Sequence, residues 1–407
     1  MSLLKSDIFA NTAFTRFWLS RSASGFAYHM SAVAIGWQVY ELTGSVFNLG
    51  LVGLVEFLPQ FLLTLVAGHV ADRVDRKTIA SVCQLLQGLM ALTLAVGSVT
   101  GALGLYGIFG CVFMIGTARA FETPSLQALL PGLVEPAQFP RMLAWSASVW
   151  RTAVILGPAA GGLLYMAGPG AVYAASGLAC LLAAFLAAGI PKPAVTQRKE
   201  PASWRSVMGG IEYIRKRPDI LGAISMDLFS VLLGGATALL PVFAKDILAT
   251  GPWGLGILRA APSVGALCMS LFLVRRPLKR GVGRKMYGAV AVFGLATIVF
   301  GLSENFALSC AALAVLGASD MVSVVVRSTL VQLDTPDELR GRVSAVNSVF
   351  IGTSNQLGDF ESGVAAALLG SVGAVVLGGV GTLVVVALWV KFFPGLFNRD
   401  ELLGKVS

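Results

Sequence analysis

Charge is what this sequence has least of. Only 13% of its 407 residues are Asp, Glu, Lys or Arg, while 56% are hydrophobic and mean hydropathy is +0.79. Soluble chains carry about 25% charged residues. A chain this poor in charge cannot cover a water-facing surface of its size, which excludes a soluble enzyme, a nucleic-acid binder and a disordered scaffold. Histidine is scarce too, with His29 and His69 alone. The five cysteines (Cys83, Cys111, Cys180, Cys268, Cys310) each sit singly in apolar stretches with no CxxC spacing. They read as small buried hydrophobes, not as a disulfide frame. A zinc or haem enzyme is excluded on the same grounds, and no metal or cofactor is expected. No GxxxxGK[ST] segment is present, so ATP hydrolysis is not expected. The first apolar stretch is too long for a cleaved leader and is expected to be a permanent span.

Long apolar runs are what is there instead. A membrane-crossing helix needs about 20 mainly apolar residues. Twelve such stretches are expected, near 17–40, 46–70, 78–99, 103–128, 138–166, 171–190, 219–243, 253–274, 286–302, 306–331, 344–369 and 373–393. When the loops are assigned alternately to two sides, Lys5, Arg16, Arg73, Arg76, Lys77, Arg141, Lys192, Arg205, Arg275, Lys285, Arg340, Lys391 and Lys405 fall on one side. Lys245 alone falls on the other, and Arg21, Arg119, Arg151, Arg259 and Arg327 lie inside spans. The positive-inside rule then puts both termini in the cytoplasm.

The longest polar stretch, 191–218, divides the chain into 1–190 and 219–407, six spans each. Within it Trp204, Val207, Met208, Ile211 and Ile214 recur at helical spacing. That pattern fits a short helix on the cytoplasmic membrane surface or an ordinary linker helix. The halves read as a repeat. Glu56-Phe-Leu-Pro59 aligns with Arg259-Ala-Ala-Pro262 at an offset of 203, and Gly157 and Gly162 align with Gly358 and Gly363 at 201. At the latter offset Arg119 meets Asp320. Such duplicated bundles place a substrate site at their interface near the bilayer midplane.

Gly68-His-Val-Ala-Asp72-Arg73-Val-Asp-Arg76-Lys77 resembles the loop 2–3 signature of the major facilitator superfamily, departing from it at Val70 and Asp75. The Asp75 departure, and the segment from Arg340-Gly-Arg342 to Leu357-Gly-Asp359-Phe-Glu361-Ser-Gly363, resemble the branch that includes the enterobactin exporter and related secretion transporters. Ala153-x-x-x-Gly157-Pro158-x-x-Gly161-Gly162 is similar to the antiporter signature of drug exporters, with Ala153 in place of the first glycine. The resemblance implies an all-α integral membrane protein, with twelve transmembrane helices in two pseudo-symmetric six-helix bundles. It implies alternating access, with Gly68, Asp72, Arg73, Arg76 and Lys77 forming a cytoplasmic latch. By their own chemistry, a carboxylate at Asp72 can cap a helix N-terminus and pair with the neighbouring bases. Arg and Lys there can equally be simple positive-inside anchors. The span 5 glycines permit close helix contact, and Pro158 bends its helix.

Ionisable side chains inside spans are costly and are functional candidates by default. The acids are Glu56, Glu122, Asp227, Asp320, Asp359 and Glu361, and the bases Arg119, Arg151, Arg259 and Arg327. The superfamily resemblance places all of them in cavity-lining or flanking spans. Asp359 is the first expectation for proton coupling, followed by Glu361, Glu56, Asp320 and Asp227, because a buried carboxyl responds to changes around it. Arg119, Glu122, Arg151, Arg259, His29 and Trp37 are the cavity and substrate candidates. The opposite signs at Glu56 and Arg259, and at Arg119 and Asp320, suggest contacts between halves. The expected activity is proton-coupled export of a small organic molecule, either a drug-like amphiphile, as in multidrug resistance, or a siderophore-like metabolite. A proton-coupled importer on the same fold is the alternative. The expected partners are the lipid bilayer of the inner membrane, the solute and protons, with no nucleic acid, and the chain is expected to be a monomer.

Overall fold

The computed structural model describes residues 8–135, 137–191 and 204–401, without the side chains of 65, 72, 204–207, 337 and 345. Among the described residues the regular structure is helical: α1 (Thr12–Thr43), α2 (Val46–Arg73), α3 (Arg76–Thr100), α4 (Leu105–Leu129), α5 (Phe139–Leu164), α6 (Pro169–Ala188), α7 (Trp204–Lys216), α8 (Pro218–Leu233), α9 (Leu240–Val242), α10 (Gly251–Arg275), α11 (Val282–Leu302), α12 (Phe306–Leu333), α13 (Asp337–Phe392) and α14 (Pro394–Phe397). Lipid allows only spans whose backbone groups are satisfied within the segment, and the apolar runs meet that demand as helices. Ten helical segments are long and apolar enough to cross a membrane. The last of them holds two spans, because Gly370, at φ +77°, interrupts α13. With α1, whose Ser20, Arg21, Ser22, Ser24 and His29 make it less apolar, every one of the twelve expected spans falls on helix.

Local chemistry sets several ends. The Asp75 side chain accepts from the Lys77 amide at 3.3 Å and so caps α3. Asn305 does the same for α12 through the Leu308 amide at 3.1 Å. Span seven is discontinuous. α8 stops at Leu233, Gly234 and Gly235 follow, and the chain continues through a 3-10 turn (Ala236–Leu239), α9 and a π turn (Phe243–Ile247).

The residues divide into two compact units: Met1–Thr43, Val55–Ala202 and Pro252–Gly256 form one, and Gly44–Leu54, Ser203–Gly251 and Ile257–Ser407 the other. In the first, Phe14, Phe17, Leu126, Leu129, Leu130 and Met142 form a fully buried cluster. In the second, Met226, Met286, Tyr287, Val326 and Leu330 do so. Ile214 of α7 is buried with Ile220, Ile224, Val331, Val343 and Val346, and Ile211 packs beside them. The last turns of the linker helix's apolar face, Ile211 and Ile214, therefore pack on its own unit, while Met208 is exposed.

Both units repeat one packing device. A methyl added at Gly116 of α4 would come within 3.1 Å of the Pro59 ring of α2 and closer still to the Glu56 carbonyl. A methyl at Gly317 of α12 would collide with the backbone of Pro262 in α10. Glycine at these positions lets the helices approach to backbone contact.

Candidate functional site

In the first unit the intramembrane charges gather on α1, α2 and α4. Tyr28 donates to Glu56 Oε1 at 2.8 Å. The Arg119 guanidinium lies 3.5 Å from the centre of the Tyr28 ring and 4.0 Å from Glu56 Oε1. The three form a half-buried ion pair held by a cation–π contact. For Glu56 the partner is thus a base of its own unit. Tyr28 and Glu56 also line a small, mostly apolar cleft with Ser31, Gln87, Val112 and Ile115. One helical turn beyond Arg119, Glu122 is buried and accepts from Gln84 Nε2 at 2.9 Å and from Gln87 Nε2 at 2.7 Å.

His29 packs edge-on to Tyr28 and Trp150, and Trp150 in turn lies 5.7 Å from the Arg21 guanidinium. The span 5 glycines make the contacts beside it. A methyl at Gly157 would sit 2.7 Å from His29 Cβ, and one at Gly161 would sit 2.8 Å from the Met30 carbonyl. Gly162 meets Gly256 of α10 in the same way, at 3.0 Å from its Cα, and Pro158 is buried inside α5. Trp37 is buried edge-on to Tyr165, and the Arg151 side chain is exposed.

The second unit holds a deeply buried ion pair, Asp227 of α8 with Arg327 of α12. A pair this deep is costly to desolvate and holds because both charges are matched. Asp227 also lines a small polar recess with Ser230, Ser319, Asp320 and Ser323. Asp359 of α13 faces the break in span seven: Thr237 Oγ1 donates to Asp359 Oδ1 at 2.9 Å, and a methyl at Gly235 would lie 2.7 Å from the Gly358 carbonyl. Glu361 is half-buried two residues on, and Arg259 and Asp320 are half-buried on α10 and α12.

At the loop between α2 and α3, Arg76 Nη1 donates to the Ala128 carbonyl at the end of α4 at 2.8 Å, and Lys77 Nζ donates to the Ile190 carbonyl beyond α6 at 2.7 Å. Cations are favoured there by the helix dipoles. Arg73 is exposed at the end of α2, Gly68 has open space around it, and the Asp72 side chain lies outside the described residues.

The comparisons with known proteins bear on what this arrangement serves. The sequence model of a family described as transmembrane secretion effectors matches residues 7–400. The chain belongs to that family. It is therefore a multi-pass membrane transporter of the major facilitator type and not an enzyme. Among curated relatives of this secretion effector is the enterobactin exporter EntS of Shigella boydii serotype 18, 25% identical over 379 residues, covering 92% of this chain and 88% of that one. EntS of Escherichia coli O1:K1 / APEC is also 25% identical, over 381 residues with the same coverage. Solved structures share the fold. A bacterial homologue of the human lysosomal transporter Spinster, inward-facing and unoccupied, superposes with a TM-score of 0.75 at 12% identity, over 96% of this chain and 97% of that one. The nucleoside transporter NupG gives 0.67 at 14%, over 95% and 99%.

Several residues of this secretion effector's polar clusters carry no signature of their own. Gln84 and Gln87 are amides one helical turn apart in an otherwise apolar span, and that pairing is the signal that points to Glu122. Tyr28 and Thr237 are single hydroxyls among many. Arg399 donates to Asp334 at 2.6 and 2.9 Å and to Asp219 at 3.1 Å, tying the chain beyond α14 to the end of α12 and the start of α8. Nothing local in the sequence announces that triad, whose members lie 65 and 180 residues apart.

Proposed function

We propose that the protein exports a small organic molecule, a drug-like amphiphile or a siderophore-like metabolite, by alternating access driven by proton entry as an antiporter. The observation that carries the reading is the position of Asp359. It is an intramembrane carboxylate hydrogen-bonded to Thr237, where span seven is broken at Gly234–Gly235. Broken helices at membrane depth are where secondary transporters of other folds build ion and substrate sites. A carboxyl there changes proton affinity when its neighbours move. The relation to the enterobactin exporters and the Gly157-Pro158-x-x-Gly161-Gly162 pattern favour the outward direction. In this reading Glu361, Glu56, Asp320 and Asp227 are the further proton-responsive acids. Arg119, Glu122, Arg151, Arg259, His29 and Trp37 serve the solute pathway, and Gly68, Asp72, Arg73, Arg76 and Lys77 the cytoplasmic gate. The bundles are 1–190 and 219–407, joined through 191–218, and a monomer sits in the inner membrane with both termini cytoplasmic.

The test is accumulation in everted inner-membrane vesicles, with iron-free enterobactin and a lipophilic cationic dye as probes under an imposed pH gradient, acid inside. Export predicts uptake of one probe into wild-type vesicles that collapses with a protonophore and is lost in D359N. Gradient-driven uptake of these probes into right-side-out vesicles instead would establish the importer reading.

A further inference from the structure

Glu122 differs from every other intramembrane acid with a described ion pair. Glu56 lies beside Arg119 and Asp227 beside Arg327. Glu122 is only 4% exposed, yet its two described hydrogen-bond partners are neutral amides, one to each carboxylate oxygen. A buried charge with no bonded counter-charge is among the costliest groups a span can hold, so its surroundings bear closely on which form it takes.

Those surroundings form a chain of groups that each donate or accept. Ser20 Oγ donates to Gln84 Oε1 at 3.0 Å, Gln84 Nε2 donates to Glu122 Oε1, and Gln87 Nε2 donates to Glu122 Oε2. In this order the carboxylate receives two donors and is satisfied as an anion. A hydroxyl can donate or accept, and an amide carries both functions on one planar end. Turning the Gln84 amide over lets Ser20 accept from its nitrogen while its oxygen accepts from a protonated Glu122. The same heavy-atom positions therefore satisfy the neutral acid. In both forms the carboxyl and the Gln84 amide keep partners of the right kind, which is the condition for a group that must change charge inside a membrane.

Charged and titratable neighbours come from each adjacent element. Arg21 on α1, Cys83 on α3 and Cys180 on α6 are close enough to feel the carboxyl, and Arg119, paired with Glu56, stands one turn away on α4 itself. Gln87 also lines the small cleft with Glu56 and Tyr28, which brings that cleft to one hydrogen bond from the acid.

We propose that Glu122 is a reversible proton site of this transporter, its two charge states accommodated by reversal of the Ser20–Gln84–Glu122–Gln87 hydrogen bonds. The inference rests on the proton-coupled reading above and adds Glu122, there placed on the solute pathway, to its proton-responsive acids, beside Glu56 in the first unit.

Difference infrared spectroscopy of the purified full chain in liposomes tests it, with pH stepped from about 5 to about 9. Wild type is expected to show a carboxyl difference signal on the pH step, with one component missing in E122Q. The double substitution Q84L/Q87L, which removes both described donors to the carboxylate, is expected to alter that component. Monodisperse elution and an unchanged melting temperature establish that each variant is folded. Folded E122Q with an unaltered carboxyl signal overturns the proposal, as does a folded Q84L/Q87L whose component is unchanged. Vesicle uptake separates this from the wider reading. If wild type accumulates iron-free enterobactin under a pH gradient and E122Q does so equally with the same pH profile, Glu122 is not a coupling site and the antiporter reading stands. If wild type ignores the gradient, the antiporter reading falls and takes this role of Glu122 with it.

Discussion

Arg327 and Asp227 illustrate how much of this molecule depends on single matched charges. Both side chains are almost wholly buried. Removing one partner strands the other, at a cost of about 3–5 kcal/mol. R327M is therefore expected to unfold at markedly lower denaturant than wild type in detergent, and D227N/R327M to recover much of the loss. Equal stability of R327M and wild type would mean the pair is not the structural tie described here. A smaller effect is expected at Asp75, whose carboxylate caps α3. D75A should cost about 1 kcal/mol, read as a lower unfolding midpoint, and D75S should restore most of it. The residue that departs from the superfamily loop signature thus has a local task a glycine could perform only in part. The departure itself was visible in the sequence. Its capping role was not, because a cap depends on the dihedral angles of the turn.

At the scale of elements, the spans were readable because lipid enforces a crude rule, roughly 20 apolar residues to a crossing, and the chain obeys it. What escaped reading were interruptions and partners. Gly234–Gly235 is one of many small-residue pairs in this sequence, and the packing of Gly235 and the 236–239 turn onto α13, which accompanies the break, has no local signature. The linker helix was legible as amphipathic, yet periodicity cannot say whether lipid or protein covers the apolar face, and here Ile220, Val331 and Val343 cover Ile214. Glu122 was legible as a buried acid and its amide partners were not, since they come from another span. Gly370 supplies an element-scale test. Its φ of +77° is strained for any side chain, so G370A is expected to destabilise by about 1 kcal/mol. Gly161 supplies a stronger one, because G161L drives a side chain into the Met30 backbone. Overpacking of about 1–3 kcal/mol is expected, seen as reduced yield of monodisperse protein.

For the whole molecule, the distribution of Lys and Arg makes a claim that topology reporters can check. Fusions of a fluorescent protein at the C-terminus and after residue 217 are expected to fluoresce, as cytoplasmic segments do. Alkaline phosphatase fused after Lys245 is expected to be active, as on the opposite side. The reverse result would invert the direction of every transport experiment above. Export as a class is our proposal, supported by relatives and by the span 5 pattern. The cargo does not follow from these, because the clefts in the two units are lined by residues that discriminate polarity and size more than chemical identity.

The glycine footholds at Gly116 and Gly317 have a corollary. Three residues before each contacted proline stands Glu56 in one half and Arg259 in the other, and three after each glycine stands Arg119 or Asp320. At these matched addresses the two units carry opposite signs. Rewriting the first unit with the second one's script, as E56R/R119E, asks of the scaffold only what it already tolerates once. Such a mirror variant should assemble where either single reversal does not.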